Sequence, residues 1–501
     1  MPSISDDMNV ALNAAMGRGF TADQIRRFWV SQGNPAASTI RDWYLSRGAV
    51  GTSFSDVEKD YWSRLGATMP LVDQAVFAID ARSSVVGETV VVNKGTGGTA
   101  LNATLGSTGG ADTNDPLLLA WTGENYLYCP GVAANYASAP NVAGFNIATT
   151  LDVTVDFTYS ASAVGSILAS KDETGLRSWI AWIDPLGRPM LEQYDGTIII
   201  GLARAVNSLV AGVRYVVRFV KANGVAGCDI YVNGVLQSKV SDSTTTASIP
   251  NNASAMQVGG NWLGNNSCTA SIYRVTVKDN TTTVFDANFT KGITSGAQTT
   301  FTESSSNAAT VTINRSTAGR KCVAVTRPVW LFGTDDYMEV ADNALLNMDA
   351  TQSFTVLAVV RQWATPTSYG RYVDKKNGGG VGVGWSLSNE VTSITSATFL
   401  GDGVAGASTI GTVATAGTLV TAAAVSDRSA QTLKTFANAS SSSAVSTSTV
   451  GSTLNALPMR VGCAAQAVGS FQDFELLAVA IFRRALTATE IASINIYYGT
   501  A

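Results

Sequence analysis

From about Pro70 onward, apolar residues recur at every second position between turn residues, and this period of two sets the fold class. In "LDVTVDFTYS" the alternation is strict over residues 151–159, and "RYVVRFVK" repeats it around 215–220. Successive strand side chains point to opposite faces, so such segments suit strands with one face on a core. "DIYVNGVLQS" places Asn233-Gly234 between two apolar runs. A tight primed hairpin turn needs positive φ at both central residues, which this pair tolerates. "QSFTVLAVVRQW" and "FELLAVAIFRRA" predict longer strands. Many short, turn-bounded strands predict a mainly β sandwich or barrel. One helix is expected at the end. Thr487-x-x-Glu490 forms a capping box, Ile491, Ile494 and Tyr498 share a face, and Gly499 stops it.

Residues 1–67 read differently. "TADQIRRFWVSQG" (21–33), "STIRDWYLSRG" (38–48) and "SDVEKDYWSRLG" (55–66) each begin at Ser or Thr and stop at a Gly. Phe28/Trp29, Trp43/Tyr44 and Tyr61/Trp62 hold equivalent positions in them. Thr21-x-x-Gln24 and Ser55-x-x-Glu58 are capping boxes, which the middle unit lacks, and Gly33, Gly48 and Gly66 suit left-handed helix ends. Three short helices are predicted, with a fourth over about residues 6–16. Short helices are marginal alone, and so small a segment buries little core. The six aromatics therefore either fill the segment's own core or dock on another chain as anchors. Arg26, Arg27, Arg41, Arg47 and Arg64 are offset by Asp23, Asp42, Asp56, Glu58 and Asp60, so no basic stripe for nucleic acid survives.

Composition narrows the function. The 501 residues suffice for two or three domains, and a net charge of −4 disfavours a polyanionic partner. Only 14% of residues are charged, so surface polarity rests on Ser, Thr, Asn and Gly. That suits a particle or extracellular surface better than a crowded cytoplasm. The chain has no histidine, which removes Ser-His-Asp and Cys-His catalysis and His-ligated metals. Its five cysteines, Cys129, Cys228, Cys268, Cys322 and Cys463, are scattered and form no C-x-x-C pair. They read as small buried apolar residues rather than a zinc site or disulfide framework. No standard signal segment opens the chain, and no run of 18 apolar residues predicts membrane insertion.

The β body reads as two related units. The first holds "YLYCPG", "TLDVTVDF", "SWIAWIDPLGRPMLEQYDG", "DIYVNGVL", "AMQVGGN" and "ASIYRVTV"; the second holds "DDYMEV", "QSFTVLAVVRQ", "GWSLS", "PMRVGCA" and "FQDFELLAVAIFRRALTATEIASI". The order matches: edge strand, long strand, Trp-bearing strand, hairpin, a strand ending in Val-Gly, closing strand. With "F-G-x-D-D-Y-x-E-V" (332–340), "S-F-T-V" (353–356), "Y-V-N-G" (231–234) and "A-L-T-x-x-E-I" (485–491), this order resembles the laminin G-like, concanavalin A-like jelly roll over about residues 70–501. The resemblance implies two concanavalin A-like sandwiches preceded by a small α-helical segment. The boundaries expected are 1–67 for the helical segment, 68–322 for the first sandwich with a C-terminal linker, and 323–501 for the second. "VFDANFTKGITSGAQTTFTES" (284–304), read as that linker, and "SDVEKDYWSRLG" also resemble segments of minor tail proteins of tailed bacteriophages, notably those infecting actinobacteria. "ANASSSSAVSTSTVGST" (437–453) reads equally as a flexible linker or a long polar hairpin.

The resemblance brings glucanases into view. Their strand motif of alternate carboxylates sets two acids in one groove, about 5 Å apart for retaining chemistry. The nearest match is "FQDFEL", where Asp473 and Glu475 share a face but Phe471 holds the first acid position. "EQYDG" offers Glu192 and Asp195 on opposite faces. No catalytic set is therefore expected. The wider fold often binds calcium through Asp, Asn and backbone oxygens, with Asp184, Asp195, Asp374 and Asp402 as candidates; Asp beside Gly also serves turns. For sugar contact, Trp179 and Trp182 fall on opposite strand faces, one for the core and one for solvent. Trp262 sits in a loop with Asn261, Asn265 and Asn266; Tyr194 and Trp385 are lesser candidates. "NNAS", "NNSC" and "NASS" are glycosylation sequons only in a eukaryotic secretory setting.

The function expected is a non-enzymatic phage virion protein, tail rather than capsid. Phe28, Trp29, Trp43, Tyr44, Tyr61 and Trp62 dock it to other virion proteins. Trp182, Tyr194, Asn261 and Trp262 contact host-surface glycan. Homo-oligomerisation, no nucleic acid, no membrane insertion and no required cofactor go with this reading. The alternatives are a purely architectural capsid decoration or head fibre, and a carbohydrate-active enzyme of the glucanase-like fold.

Overall fold

The computed structural model describes residues 71–500 apart from 107–109, 111, 113, 122, 161–164, 174, 261–267, 316–319, 365–368, 391–393 and 467–468. The helices expected over 1–67, with their six aromatics, lie outside the described residues, as do Asn261, Trp262, Asn265 and Asn266.

The chain divides into two compact units. One is continuous, Glu124–Thr326; the other joins Arg327 onward to the segment ending at Gly123. In the continuous unit two antiparallel sheets face each other. Among the described residues the first runs 239–242, 199–205, 189–196, 176–183, 166–173, 256–258, 137–139, 310–313, 300–302. The second runs 235–236, 229–232, 214–222, 150–159, 269–279, 126–130, 323–325, with Thr282–Asn288 also paired to Thr269–Asp279. Leu151, Val153, Val155 and Phe157 point into the core with Trp179, Phe219 and Phe285, all fully buried. Phe145 meets the Phe285 ring edge-on at 5.4 Å. The outer side of the same strands carries cross-strand ion pairs, Arg218 with Asp152 at 2.8 Å and Arg214 with Asp156 at 2.7 Å. Asn233 and Gly234 adopt φ of 50° and 81°, the hairpin turn their sequence predicts.

The split unit repeats this plan. One sheet runs 440–441, 432–437, 419–427, 354–361, 474–482, 329–332, 117–119, with Phe77–Asp80 also on Phe474–Phe482. The other runs 90–91, 103–105, 338–340, 459–461, 371–376, 384–389, 395–401, 406–413. Phe77, Ile79, Trp330 and Phe332 fill the space between with no exposure, and Phe332 stacks on Phe474 at 4.6 Å. The motif residue Asp336 is also fully buried and accepts a hydrogen bond from Gly333 N–H, so it closes a turn. The polar tract takes the hairpin form: Ser440–Ser441 and Val445–Ser446 both pair with Thr432–Ala437. The last helix, Ala488–Tyr498, has its Thr487/Glu490 capping box and ends at Gly499 with φ 69°.

The expected boundary at 322/323 needs correction. Residues 71–123, assigned above to the first sandwich, pair with strands of 327–500 instead. The stretch 284–304, read as a linker, contributes most of strand Thr282–Asn288 and all of Thr300–Thr302 to the continuous unit. Alternation reveals a strand but not its neighbour, which is why both segments were misassigned.

All five cysteines are buried and free, as expected of small apolar residues; Cys129 and Cys322 Sγ lie 3.9 Å apart. Burial pushes the Cys228 thiol up to about 12.

If the two connecting segments are structural, truncating their core phenylalanines is costly. Phe77→Ala and Phe285→Ala are each expected to destabilise their unit by about 3–5 kcal/mol, read as a lowered urea midpoint. Linker positions would shift stability by no more than about 0.5 kcal/mol.

Candidate glycan-contacting face

Strands Leu176–Ile183 and Pro189–Gly196 of the continuous unit pair with Met190 opposite Trp182 and Gln193 opposite Trp179. Alternation sends Trp179, Leu191 and Gln193 inward and Ile180, Trp182, Glu192 and Tyr194 to the other side of the sheet. Trp179 is fully buried in the core. Trp182 is half-buried and packs with Ile167, Ile180 and Tyr194 in a separate small cluster. Its Nε1–H has no acceptor among the described residues. Gly165 makes room for the indole: a Cβ there would come within 2.8 Å of the Trp182 ring, and its φ of +86° disfavours any other residue.

Charged groups surround this aromatic pair. The Arg177 guanidinium lies 4.0 Å from the Tyr194 ring centre, and its Nε donates to Asp172 Oδ1 at 2.6 Å. Tyr194 donates its hydroxyl to Glu192 Oε2 at 2.6 Å. Burial lifts the Glu192 carboxyl above its ordinary range, against the Tyr194 hydrogen bond and the Arg177 charge. Burial and the Glu192 charge raise the Tyr194 phenol strongly. A hydrophobic ring thus sits next to a guanidinium and two carboxylates, the groups that sugar C–H faces and hydroxyls require.

Trp182 and Tyr194 lie in one small cluster on the same side of the sheet. It places Trp179 and Trp385 in cores, the latter donating from Nε1 to Leu346 O at 3.2 Å. Sequence reading missed Arg177 and Asp172. The signal available was the i, i+2 spacing of Glu192 and Tyr194, which fixes a shared face.

The split unit has a related arrangement that sequence reading also missed. Tyr369 and Phe399 meet edge-on at 5.5 Å, and Arg371 lies 6.0 Å and 5.9 Å from their ring centres. Asp374 sits 3.7 Å from Arg371 and accepts from Ala465 N–H at 2.7 Å. Burial holds its carboxyl above the ordinary range.

Three of the calcium candidates accept backbone N–H bonds that close turns. Asp184 accepts from Leu186 and Arg188 N–H and pairs with Arg188 and Arg204. Asp195 caps a turn through Thr197 and Ile198 N–H. Asp402 does so through Val404, Ala405 and Gly451 N–H. Among the described residues no group of three His, Cys, Asp or Glu is placed to hold a metal ion.

Glu475, the nearest match to a glucanase acid, is 1% exposed. Arg361 reaches its Oε2 at 2.5 Å and Trp363 Nε1–H its Oε1 at 2.7 Å, so both oxygens face protein donors.

The laminin G family model described as "Concanavalin A-like lectin/glucanases superfamily" matches residues 332–492. The chain therefore carries a laminin G-like, concanavalin A-like lectin domain there. No curated protein matches the sequence. Among solved structures, the chain is similar to the binding domain of Paraclostridial Mosquitocidal Protein 1, at 13% identity over 41% of this chain and 51% of that one, TM-score 0.30. A putative carbohydrate binding protein from Bacteroides ovatus gives 12% identity over 38% and 58%, TM-score 0.29. Domains LG4-5 of the mouse laminin α1 chain give 13% identity over 72% and 91%, TM-score 0.29. The chain spans only 51% and 58% of the first two.

The raised Glu192 carboxyl sets a pH dependence. A carboxyl raised on folding stabilises the fold below its unfolded value, about 4.3, and loses that contribution as pH climbs through the folded value. The wild type is expected to lose stability relative to Glu192→Gln between about pH 4 and pH 7. Parallel urea titrations at the two pH values check this; parallel curves would place Glu192 in water.

Proposed function

We propose that this chain is a non-enzymatic structural protein of a tailed-phage virion, of minor tail kind. On this reading, residues 1–67 attach it to the particle and its lectin-like sandwiches contact glycans on the host surface. The observation that carries the glycan reading is the outer face of the continuous unit. There half-buried Trp182 lies beside Tyr194, Arg177 and Glu192. Such a face stacks on a pyranose and offers donors and acceptors to its hydroxyls. The family match over 332–492 supports a lectin-like role for the second sandwich.

The non-enzymatic part is supported by Glu475, whose carboxylate is closed off by Arg361 and Trp363. The virion part rests on the resemblance of 284–304 and 55–66 to minor tail proteins, and on a surface poor in charge. Several copies on one particle would turn weak sugar contacts into avid attachment.

The test is binding of the full chain to host cell-wall polysaccharide, with Trp182→Ala as the variant. Wild type is expected to bind saturably, and Trp182→Ala to bind at least about tenfold more weakly, a loss of about 1.4 kcal/mol, with urea titration of the variant confirming that it is folded under the binding conditions. Equal binding by both proteins removes the face from the site. No binding by a multivalent wild type favours the architectural alternative. Immunogold labelling of purified particles with an antibody to this chain tests the virion assignment separately: a label on the tail is expected, and unlabelled particles would overturn it.

A further inference from the structure

The two connecting segments, 71–123 and 282–326, do the same work in the same order. Phe77–Asp80 lies along Phe474–Phe482, with Phe77 opposite Ile481; Thr282–Asn288 lies along Thr269–Asp279, with Phe285 opposite Val277. Each strand ends in a cap: the Asp80 side chain accepts from Arg82 N–H and that of Asn288 from Lys291 N–H. Each segment then crosses to the other sheet. Ala103–Leu105 pairs with Met338–Val340, and Thr310–Ile313 with Ala137–Ala139. Each returns as one short strand, Leu117–Leu119 on Val329–Phe332 and Val323–Val325 on Tyr126–Pro130.

Their positions along the chain differ. The second segment completes the sandwich directly before it. The first completes the sandwich that starts at Arg327, with the whole continuous unit in between. In a head-to-tail row of copies the order becomes the same: 327–500 of one copy would be followed, after residue 501 and residues 1–70, by 71–123 of the next. We propose that the chain associates with a second copy of itself in this way, residues 71–123 of one copy completing sandwich 327–500 of another.

The seat is built to require an occupant. Without it the closing strand loses its pairing along Ala478–Ile481, and an unpaired apolar strand edge is a template for another chain. The seat also reads this particular segment. Tyr498 donates its hydroxyl to Asp80 Oδ2 at 2.7 Å, and the Arg82 guanidinium lies 4.2 Å from the Tyr497 ring centre. Exchange between copies remakes each of these contacts, which keeps the free-energy difference between closed and shared forms small. The inference concerns self-association alone and stands whether or not the face around Trp182 binds glycan.

Cysteine pairs placed across the seat in full-length chains test the proposal. Thr104 and Glu339 stand directly opposite and are both half-buried. Opposed residues in an antiparallel pair lie about 4.5–5.5 Å apart at Cα, within disulfide reach. Thr104→Cys and Glu339→Cys chains, co-refolded and oxidised, are expected to give a disulfide-linked dimer on a non-reducing gel, at least tenfold above either variant alone. The wild type serves as the control for the native thiols. The overturning result is an internal bond in the Thr104→Cys/Glu339→Cys double variant with no linked dimer from the mixture. Ala78→Cys with Ala480→Cys repeats the test in the other sheet if the first pair fails to fold. No bond from either pair, within or between chains, removes the seat and the proposal with it.

Discussion

Everything in the split unit hangs on one strand, Phe474–Phe482, buried along its whole length. A strand covered on both faces cannot leave backbone N–H or C=O groups unpaired, because water cannot reach them. One edge is filled by Phe354–Arg361, itself wholly buried. The other edge is longer than any single neighbour: Val329–Phe332 covers its first residues and Phe77–Asp80 its last. The requirement for full pairing draws a remote segment into the sandwich. Thr269–Asp279 meets the same requirement with Tyr126–Pro130 and Thr282–Asn288.

This accounts for what could be read in the sequence and what could not. Strands, the Asn233-Gly234 hairpin and the capped final helix depend on residues within a few positions of each other, and the alternation and cap residues state them directly. Which strand lies beside which depends on edges left open elsewhere. "VFDAN" reads as part of a linker and "VFAID" as part of the first sandwich, yet Phe77 and Phe285 are both fully buried in matching positions. The similarity of these two short stretches was the available clue to their shared role.

The candidate site divides along the same line. Trp182 and Tyr194 could be picked out as aromatic residues, and strand parity separates Trp182 from the core residue Trp179. Arg177 and Asp172 reach them only through the fold, because Arg177 stands opposite Asp172 on one side and Gly196 on the other. The carboxylates singled out for calcium have local roles in turns. Asp195 and Asp402 each accept two or more backbone N–H bonds, which lower their carboxyls.

A lone guanidinium over a ring is ordinary sandwich chemistry, worth about 0.5–1 kcal/mol where water reaches it. What distinguishes the outer face of the continuous unit is the indole beside that pair. Arg177 is held by Asp172 and Tyr194 by Glu192. The split unit has Arg371 beside Tyr369 and Phe399. Its ring Tyr369 is 38% exposed, compared with 3% for Tyr194. The split unit's tighter constraint is the seat that Phe77–Asp80 fills along Phe474–Phe482.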